Sequence, residues 1–448
     1  MNKLIQFWVD LRSSFWFLPF LIVLGSVVYA VALIQADYTW GDRWLARWPR
    51  TFGVAAEGAR DMLSTLAGSM MTVMGITFAM TLLALALVSS QYTSRILRNF
   101  MRSRVTQVTL GTFAGIFVYC LIVLHSIRTG DAPFVPSLAV FFAFVLAFCG
   151  IAVLIYFIHH IALSIQASSI IASVAQETNA SIVRLLPEAL DQIPDEDAGR
   201  NRGLESLYER TWYPVPATVS GYIQSVNTDA LLHLARDSRT IVRMEHGIGA
   251  FVVQDTALVS LALTYPADQK TIDALNAAYS IGRHRTVDHD PAFGIRQLVD
   301  MAIKALSPGV NDTSTAVMCV DYLTAILGRL ACRQFPPSHS YEEETLRVIA
   351  IVPTFEGLLA EAFDQIRDNA TGKVAIMARM LGAIDTIASL TVSPSHLRAL
   401  YQQLQWIAEL ADRSIEANHA RERLESRLSE VRETLETQSA LCPGEERA

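Results

Sequence analysis

The sequence predicts a mainly α protein: a four-helix transmembrane domain followed by a cytoplasmic α+β region with a small β-barrel-like unit and a helical bundle. Three observations carry that reading. Charged residues make up 18% of the 448-residue chain, against about 25% in soluble globular proteins. Four stretches, Ser13 to Ala36, Met62 to Ser94, Val105 to Ile127 and Ala132 to Gln176, contain no Asp, Glu, Lys or Arg. The charge is also split: residues 1–160 carry eleven basic and six acidic side chains, and the remainder 25 and 37. An acidic back half excludes general nucleic-acid binding, which depends on neutralising phosphates.

Each uncharged stretch reaches the roughly 20 residues that a spanning helix needs. The transmembrane domain is residues 1–175, with spans at about 14–36, 63–90, 106–127 and 137–159. The apolar core from Phe15 to Ile34 exceeds the about 7–15 residues of a signal-peptide core, and Asp10 interrupts the basic start, so the first span reads as an uncleaved anchor. Orientation follows from basic residues in short loops. Ser94 to Arg104 contains four Arg and no acid, whereas Asp37 to Asp61 carries four of each sign. The Arg-rich loop is therefore cytoplasmic, as are both termini. Trp40, Trp44 and Trp48 recur every four residues, the spacing of an interfacial anchor on one helix face.

The second span places Ser64, Gly68, Thr72, Gly75 and Ala79 near one face. Small residues let helices approach closely in lipid, so this is a helix-packing or subunit face. Its hydroxyls also allow it to line a narrow wet path. Asp61 at one end, with Arg95 and Arg98 at the other, would become rings of charge if copies surround an axis. No span contains an ionisable Asp, Glu, Lys or Arg, which argues against a proton relay. The last apolar run is too long for one span. As a single helix, the 39 residues from Ser137 to Ala175 reach about 58 Å, so the end of this run, with His159 and His160, projects inward.

Residues 176–212, with Pro187, Pro194 and Asp195-Glu196-Asp197, read as a linker. Residues 213–265 read as the small β-rich domain. Val219 to Val226, Thr240 to Met244, Ala250 to Val253 and Ala257 to Leu263 are its strands, and Thr228 caps a short helix. The glycine pattern at Gly249 superficially resembles a lipoyl- or biotinyl-carrier hammerhead, but no lysine occupies the tip, so a swinging-arm carrier is rejected.

Residues 266–336 form a helical domain with the densest polar constellation: Arg283, His284, Arg285, Asp288, Asp290, Arg296, Asp300, Asn311 and Asp312. Asp290 before Pro291 reads as an N-cap with proline in the first turn. The arginines and aspartates are suited to a charged turn that holds helices together, or to an anion or small-ligand sensor. A metal site is disfavoured because the His and Asp spacing does not match HExxH. Residues 340–438 read as a C-terminal helical bundle, or as a coiled coil between subunits built on Leu397, Leu400, Leu404, Leu424, Leu428, Val431 and Leu435. The five cysteines, Cys120, Cys149, Cys319, Cys332 and Cys442, are scattered and form neither a disulfide framework nor a zinc site.

The runs Ser220-Gly221-Tyr222-Ile223-Gln224, Asp290 to Asp300 and Ala305 to Asp312 resemble a bacterial family of predicted inner-membrane proteins catalogued only as a domain of unknown function. The resemblance covers nearly the whole chain and implies no catalytic residue, cofactor or ligand. GxSxG, Walker, HExxH and Rossmann patterns are absent. The expected function is an oligomeric, passive conduit for ions or small solutes in the bacterial inner membrane, with the cytoplasmic region as gate or vestibule. The alternative is a membrane-anchored regulatory or scaffold protein. Expected partners are the lipid bilayer, further copies of the chain and small ions, with no cofactor and no metal.

Overall fold

The computed structural model describes residues 16–47, 56–91, 104–128, 134–188, 210–263, 266–342 and 345–441. The chain divides into two compact units, residues 1–169 and 170–448.

The first unit holds four long helices: α1 (Phe17–Arg47), α2 (Ala56–Gln91), α3 (Arg104–Ser126) and α4 (Ser137–Ser164). Each contains a segment long and apolar enough to cross a bilayer. Half of α3 is buried inside the bundle, against 6% of the apolar window of α1, which makes α3 the centre and α1 a peripheral helix. The core is filled by Leu63, Met70, Phe113, Ile116, Tyr119, Cys120, Val123 and Val140.

Close approach between spans occurs at α3 against α1. A Cβ on Gly111 would lie 2.8 Å from Ile22 Cδ1 and 2.9 Å from Pro19 Cα, and one on Gly115 would run into Ser26 Oγ. This Gly-x-x-x-Gly spacing is a packing pattern for helices in lipid. The glycines expected to do this, Gly68 and Gly75 on α2, instead have, among the described residues and apart from their own stretch of helix, no atom within 4 Å of such a Cβ.

Two further expectations are corrected. The helix of the first span runs past residue 36 and carries a buried carboxylate, Asp37, which is 8% exposed. Its Oδ1 accepts the Leu138 N–H at 3.0 Å and its Oδ2 the Ala139 N–H at 3.0 Å. The long apolar run from Ser137 is two helices, not one. The Gln166 N–H bonds Leu163 O in a tighter i to i+3 turn, and a new helix, α5 (Ala167–Leu185), starts after it.

The body of α5 belongs to the second unit. Its apolar stripe of Ile170, Ile171, Val174, Ala175 and Ile182 is buried. The segment from Gln176 to Leu185 is therefore packed helix, where a linker was expected.

The second unit contains two separate sheets. Strands β1 (Tyr213–Pro216), β2 (Gly221–Val226), β3 (Val242–Met244), β4 (Phe251–Val252) and β5 (Ala257–Leu261) enclose a short helix α6 (Thr228–Asp237). Helix α7 (Gln269–Ala277) and β6 (Tyr279–Gly282) follow. After helices α8 (Pro291–Leu306) and α9 (Thr313–Ala331) come β7 (His339–Glu342) and β8 (Thr345–Ile349). The five-stranded sheet has the order β1-β5-β3-β8-β7, and the three-stranded sheet β4-β2-β6. All pairings are antiparallel except β3 with β8.

Among the described residues no closed barrel forms, contrary to the barrel-like unit expected from residues 213–265. The large sheet keeps open edges at β1 and β7, and two of its strands arrive from beyond residue 338. Pro214 and Pro216 suit an edge strand, where a missing N–H breaks no ladder. Val215, Ile223, Leu231, Val242, Leu258, Val259 and Leu261, from both sheets and α6, are fully buried in one cluster. The α6 cap is Asn227, whose side chain accepts the Ala230 N–H, one residue before the expected Thr228.

Helix α9 is also long and apolar enough to span. Cys319, Val320, Leu323, Ile326 and Leu327 are fully buried, and α9 packs against α8 and α11 (Val374–Ala388), which marks it as a core helix. With α10 (Phe355–Asp368), α12 (Pro394–Ser414) and α13 (Asn418–Leu441), these helices form a bundle. Leu424, Leu428, Val431 and Leu435 of α13 are buried against α11 and α12 of the same chain. That apolar stripe is therefore filled within the chain and is not open for a coiled coil between subunits.

Candidate functional site

Two groups of residues were expected to carry function, and they differ in how they are built. The first lies on α2. Ala59, Leu63, Ala67 and Met70 are buried along one side. Ser64, Gly68, Thr72, Gly75 and Ala79 are all exposed on another. The period of 3.6 residues separates the two faces. The Thr72 hydroxyl donates to Gly68 O at 3.0 Å, one turn back along the helix. Thr77, at 0% exposure, donates in the same way to Val73 O. Asp61 is exposed in the first turns of α2. Arg95 and Arg98 lie outside the described residues.

The second group is the polar constellation, which the fold divides into three parts. At the start of α8, Arg285 Nε and Nη2 meet Asp290 Oδ2 at 2.9 and 2.8 Å. Asp290 Oδ1 accepts the Phe293 N–H at 3.2 Å, the expected N-cap with proline in the first turn. Burial holds the Asp290 carboxyl above its usual range, opposed by the Arg285 charge and hydrogen bond. The Arg285 guanidinium also lies over the Phe293 ring, 5.1 Å from its centroid. Gly249 is required twice. Its φ is +86°, and a Cβ there would lie 2.5 Å from Asp290 Oδ2 and 2.8 Å from Arg285 Nη2. Gln224 on β2 donates to His284 O at 2.8 Å.

In the middle of α8, Arg296 pairs with Asp300 at 3.0 Å and with Glu361 of α10 at 3.3 Å. At its far end, Lys373 Nζ donates to Leu306 O at 2.9 Å and to Asn311 Oδ1 at 3.1 Å. Asn311 has a φ of +49°. Asp312 caps α9 by accepting the Thr315 N–H and hydroxyl, and those hydrogen bonds hold its carboxyl below its usual range. The 16 residues of α8 separate the two ends by about 24 Å.

The constellation is thus three fastenings along one helix and not one pocket. Arg283 and His284 are exposed, and Asp288 pairs with Arg184 on α5 at 3.5 Å. Among the described residues, no group of three His, Cys, Asp or Glu side chains is placed to hold a metal ion.

Glu361, Lys373 and Arg184 complete these fastenings and were not expected from the sequence. They lie 60 or more residues from their partners along the chain, with no local signal to link them.

Residues 12–386 match a family described as "Predicted membrane protein (DUF2254)". The chain belongs to that family. The DUF2254 match runs from the N-terminal membrane helices into α11 and includes both residue groups above; α12 and α13 lie beyond it. This DUF2254 chain is 31% identical over 394 residues to "Uncharacterized protein Rv1290c" of Mycobacterium tuberculosis, covering 86% of this chain and 74% of that one. "Uncharacterized protein Mb1321c" of Mycobacterium bovis matches with the same identity and coverage. No solved structure matches the chain.

Proposed function

We propose that this DUF2254 protein assembles into a homo-oligomer that conducts ions or small solutes passively, along a path between copies lined by the exposed face of α2. One observation carries the reading. The protomer's own bundle is filled by Phe113, Ile116, Tyr119, Leu63 and Met70, while the glycine and hydroxyl face of α2 is turned away from that core with open space at Gly68 and Gly75. Among the described residues, the middle of the protomer's bundle is taken up by those side chains. A path between protomers has a face of small residues and hydroxyls available, and small residues favour close association in lipid.

The Arg-rich segment from Arg95 to Arg104 puts the C-terminal unit and both termini in the cytoplasm by the positive-inside rule, in a bacterial inner membrane. There the acidic C-terminal unit serves as vestibule or gate. It performs no catalysis in this reading, since the polar groups on α8 fasten helices to one another.

A second reading, an anchored scaffold without transport, is favoured by one detail. The Thr72 hydroxyl already spends its one proton on Gly68 O and has none left to donate to water in a path. Disulfide formation between copies carrying Thr72→Cys tests the premise of the first reading. Cross-linked dimers in native membranes support an α2 interface, and monomers alone contradict both the interface and the path.

A further inference from the structure

We infer that Asp37 is a proton-sensitive latch that holds the beginning of α4 to α1. The inference rests on bundle geometry and is independent of whether anything is conducted.

The latch is built as follows. Helix α4 starts after Pro136, which supplies no side-chain cap. The first N–H groups of a helix lack intrahelical partners and need an acceptor from elsewhere. Asp37 provides it from a different span, one carboxylate oxygen for each of Leu138 and Ala139, at 3.0 Å each. The Tyr119 hydroxyl of α3 donates to Ala139 O at 2.8 Å. Both backbone groups of Ala139 are therefore held by side chains from two other helices. Beside them, the Tyr38 and Phe134 rings meet edge to face with centroids 6.2 Å apart.

Only the ionised carboxylate suits this arrangement. It presents two acceptors to two donors, and its charge lies at the positive end of the α4 dipole. A proton on either oxygen removes that charge and leaves that oxygen a weaker acceptor for its N–H. Asp37 is 8% exposed, and no cation pairs with it among the described residues. Among the described side chains, the other titratable or charged groups at this end are Tyr38 and Tyr29 on α1, Glu57, Arg60 and Asp61 on α2, Tyr119 and His125 on α3, and Arg128 just beyond α3. Helix α4 contributes none in its first turns. Protonation of Asp37 thus loosens the start of α4 from α1 while the middle of the bundle stays packed.

The test is hydrogen–deuterium exchange of the full chain in lipid nanodiscs, read at the Leu138 and Ala139 amides and corrected for intrinsic exchange. In the wild type, protection at these two amides is lost on acidification from neutral pH, while that of Leu146 and beyond is kept. Asp37→Asn shows weak protection at neutral pH and no such pH dependence. Should Asp37→Asn fail to fold, infrared difference spectra of the wild type report the carboxyl directly, and its protonation must coincide with the loss of protection. Unchanged wild-type protection across the range, or a pH response retained in Asp37→Asn, overturns the latch.

Discussion

The side chain of Thr178 on α5 occupies the space that a Cβ on Gly294 of α8 would need. Thr178 Cβ and Cγ2 both lie 2.9 Å from that position, and Thr178 Oγ1 is closer still. Thr178 is fully buried, so it has nowhere to retreat. Ser181, one turn on, donates to Asp288 O at 3.0 Å. Helix α5, which follows the fourth span directly, is thereby locked to α8 through a single missing methyl group.

Gly294→Ala should destabilise the protein by about 1–3 kcal/mol through overpacking, read as a lowered Tm in detergent. Adding Thr178→Ala removes two of the three clashing atoms and should restore part of the loss. A neutral Gly294→Ala means that the two helices are not in contact at this point.

The acidic partners on α8 should differ in cost. Asp290→Ala leaves Arg285, 26% exposed at its side chain, without its carboxylate and also uncaps α8. Breaking a buried pair in this way costs about 3–5 kcal/mol. Asp300→Ala leaves Arg296 with Glu361, so its effect should be the smaller. Thermal unfolding of the two variants side by side checks the order, and equal effects would show that Glu361 does not compensate.

The glycines of the membrane helices should separate folding from assembly. Gly115→Leu forces α1 off α3 and should unfold the bundle, seen as a collapse of thermal stability in detergent. Gly68→Leu and Gly75→Leu enter open space within the protomer. They should leave protomer stability unchanged and reduce the oligomer size measured by light scattering. Unchanged size in both would remove α2 as the interface.

His396 supplies a pH signature. It is buried and stacked on Phe355 with centroids 4.1 Å apart, its Nδ1 is 3.1 Å from Thr391 Oγ1, and burial pushes its pKa down to about 4. The unfolded chain takes up this proton near 6.5, its ordinary value. Above that pH both states are neutral. As the pH falls from about 6.5 to about 4, the unfolded state binds the proton first and stability drops by on the order of 3 kcal/mol. His396→Asn should flatten that part of the curve of Tm against pH, and an unchanged slope would exclude His396 as its source.

How much of this was legible in the sequence varies by element. The four apolar helices followed from runs without charge, and the α8 cap from Asp290 before Pro291. The break after Ser164 was hidden because the apolar pattern runs straight through it. The sheet is not a barrel because β7 and β8 enter it from residues 339–349, and pairing at such separation leaves no local pattern. Asp37 is not legible as a helical residue because the uncharged run ends just before it, and a helix that continues past its first charge reads as a loop. The small-residue face of α2 was visible as a face, but not that it points away from this chain's own core. Gly111 and Gly115 had the packing spacing all along, in a span whose neighbours the sequence could not name.

Conductance of the purified protein in planar bilayers, comparing wild type with Thr72→Leu, tests the proposed path most directly. Thr72 is exposed on the α2 face between Gly68 and Gly75, and a narrow wet path there should lose conductance when a large apolar side chain replaces the hydroxyl. Wild-type currents that fall in Thr72→Leu, with oligomer size retained, are the expected result. A wild type silent under voltage, tension and pH change, together with packed side chains or lipid on the axis of the assembled oligomer, would contradict conduction and leave the anchored scaffold.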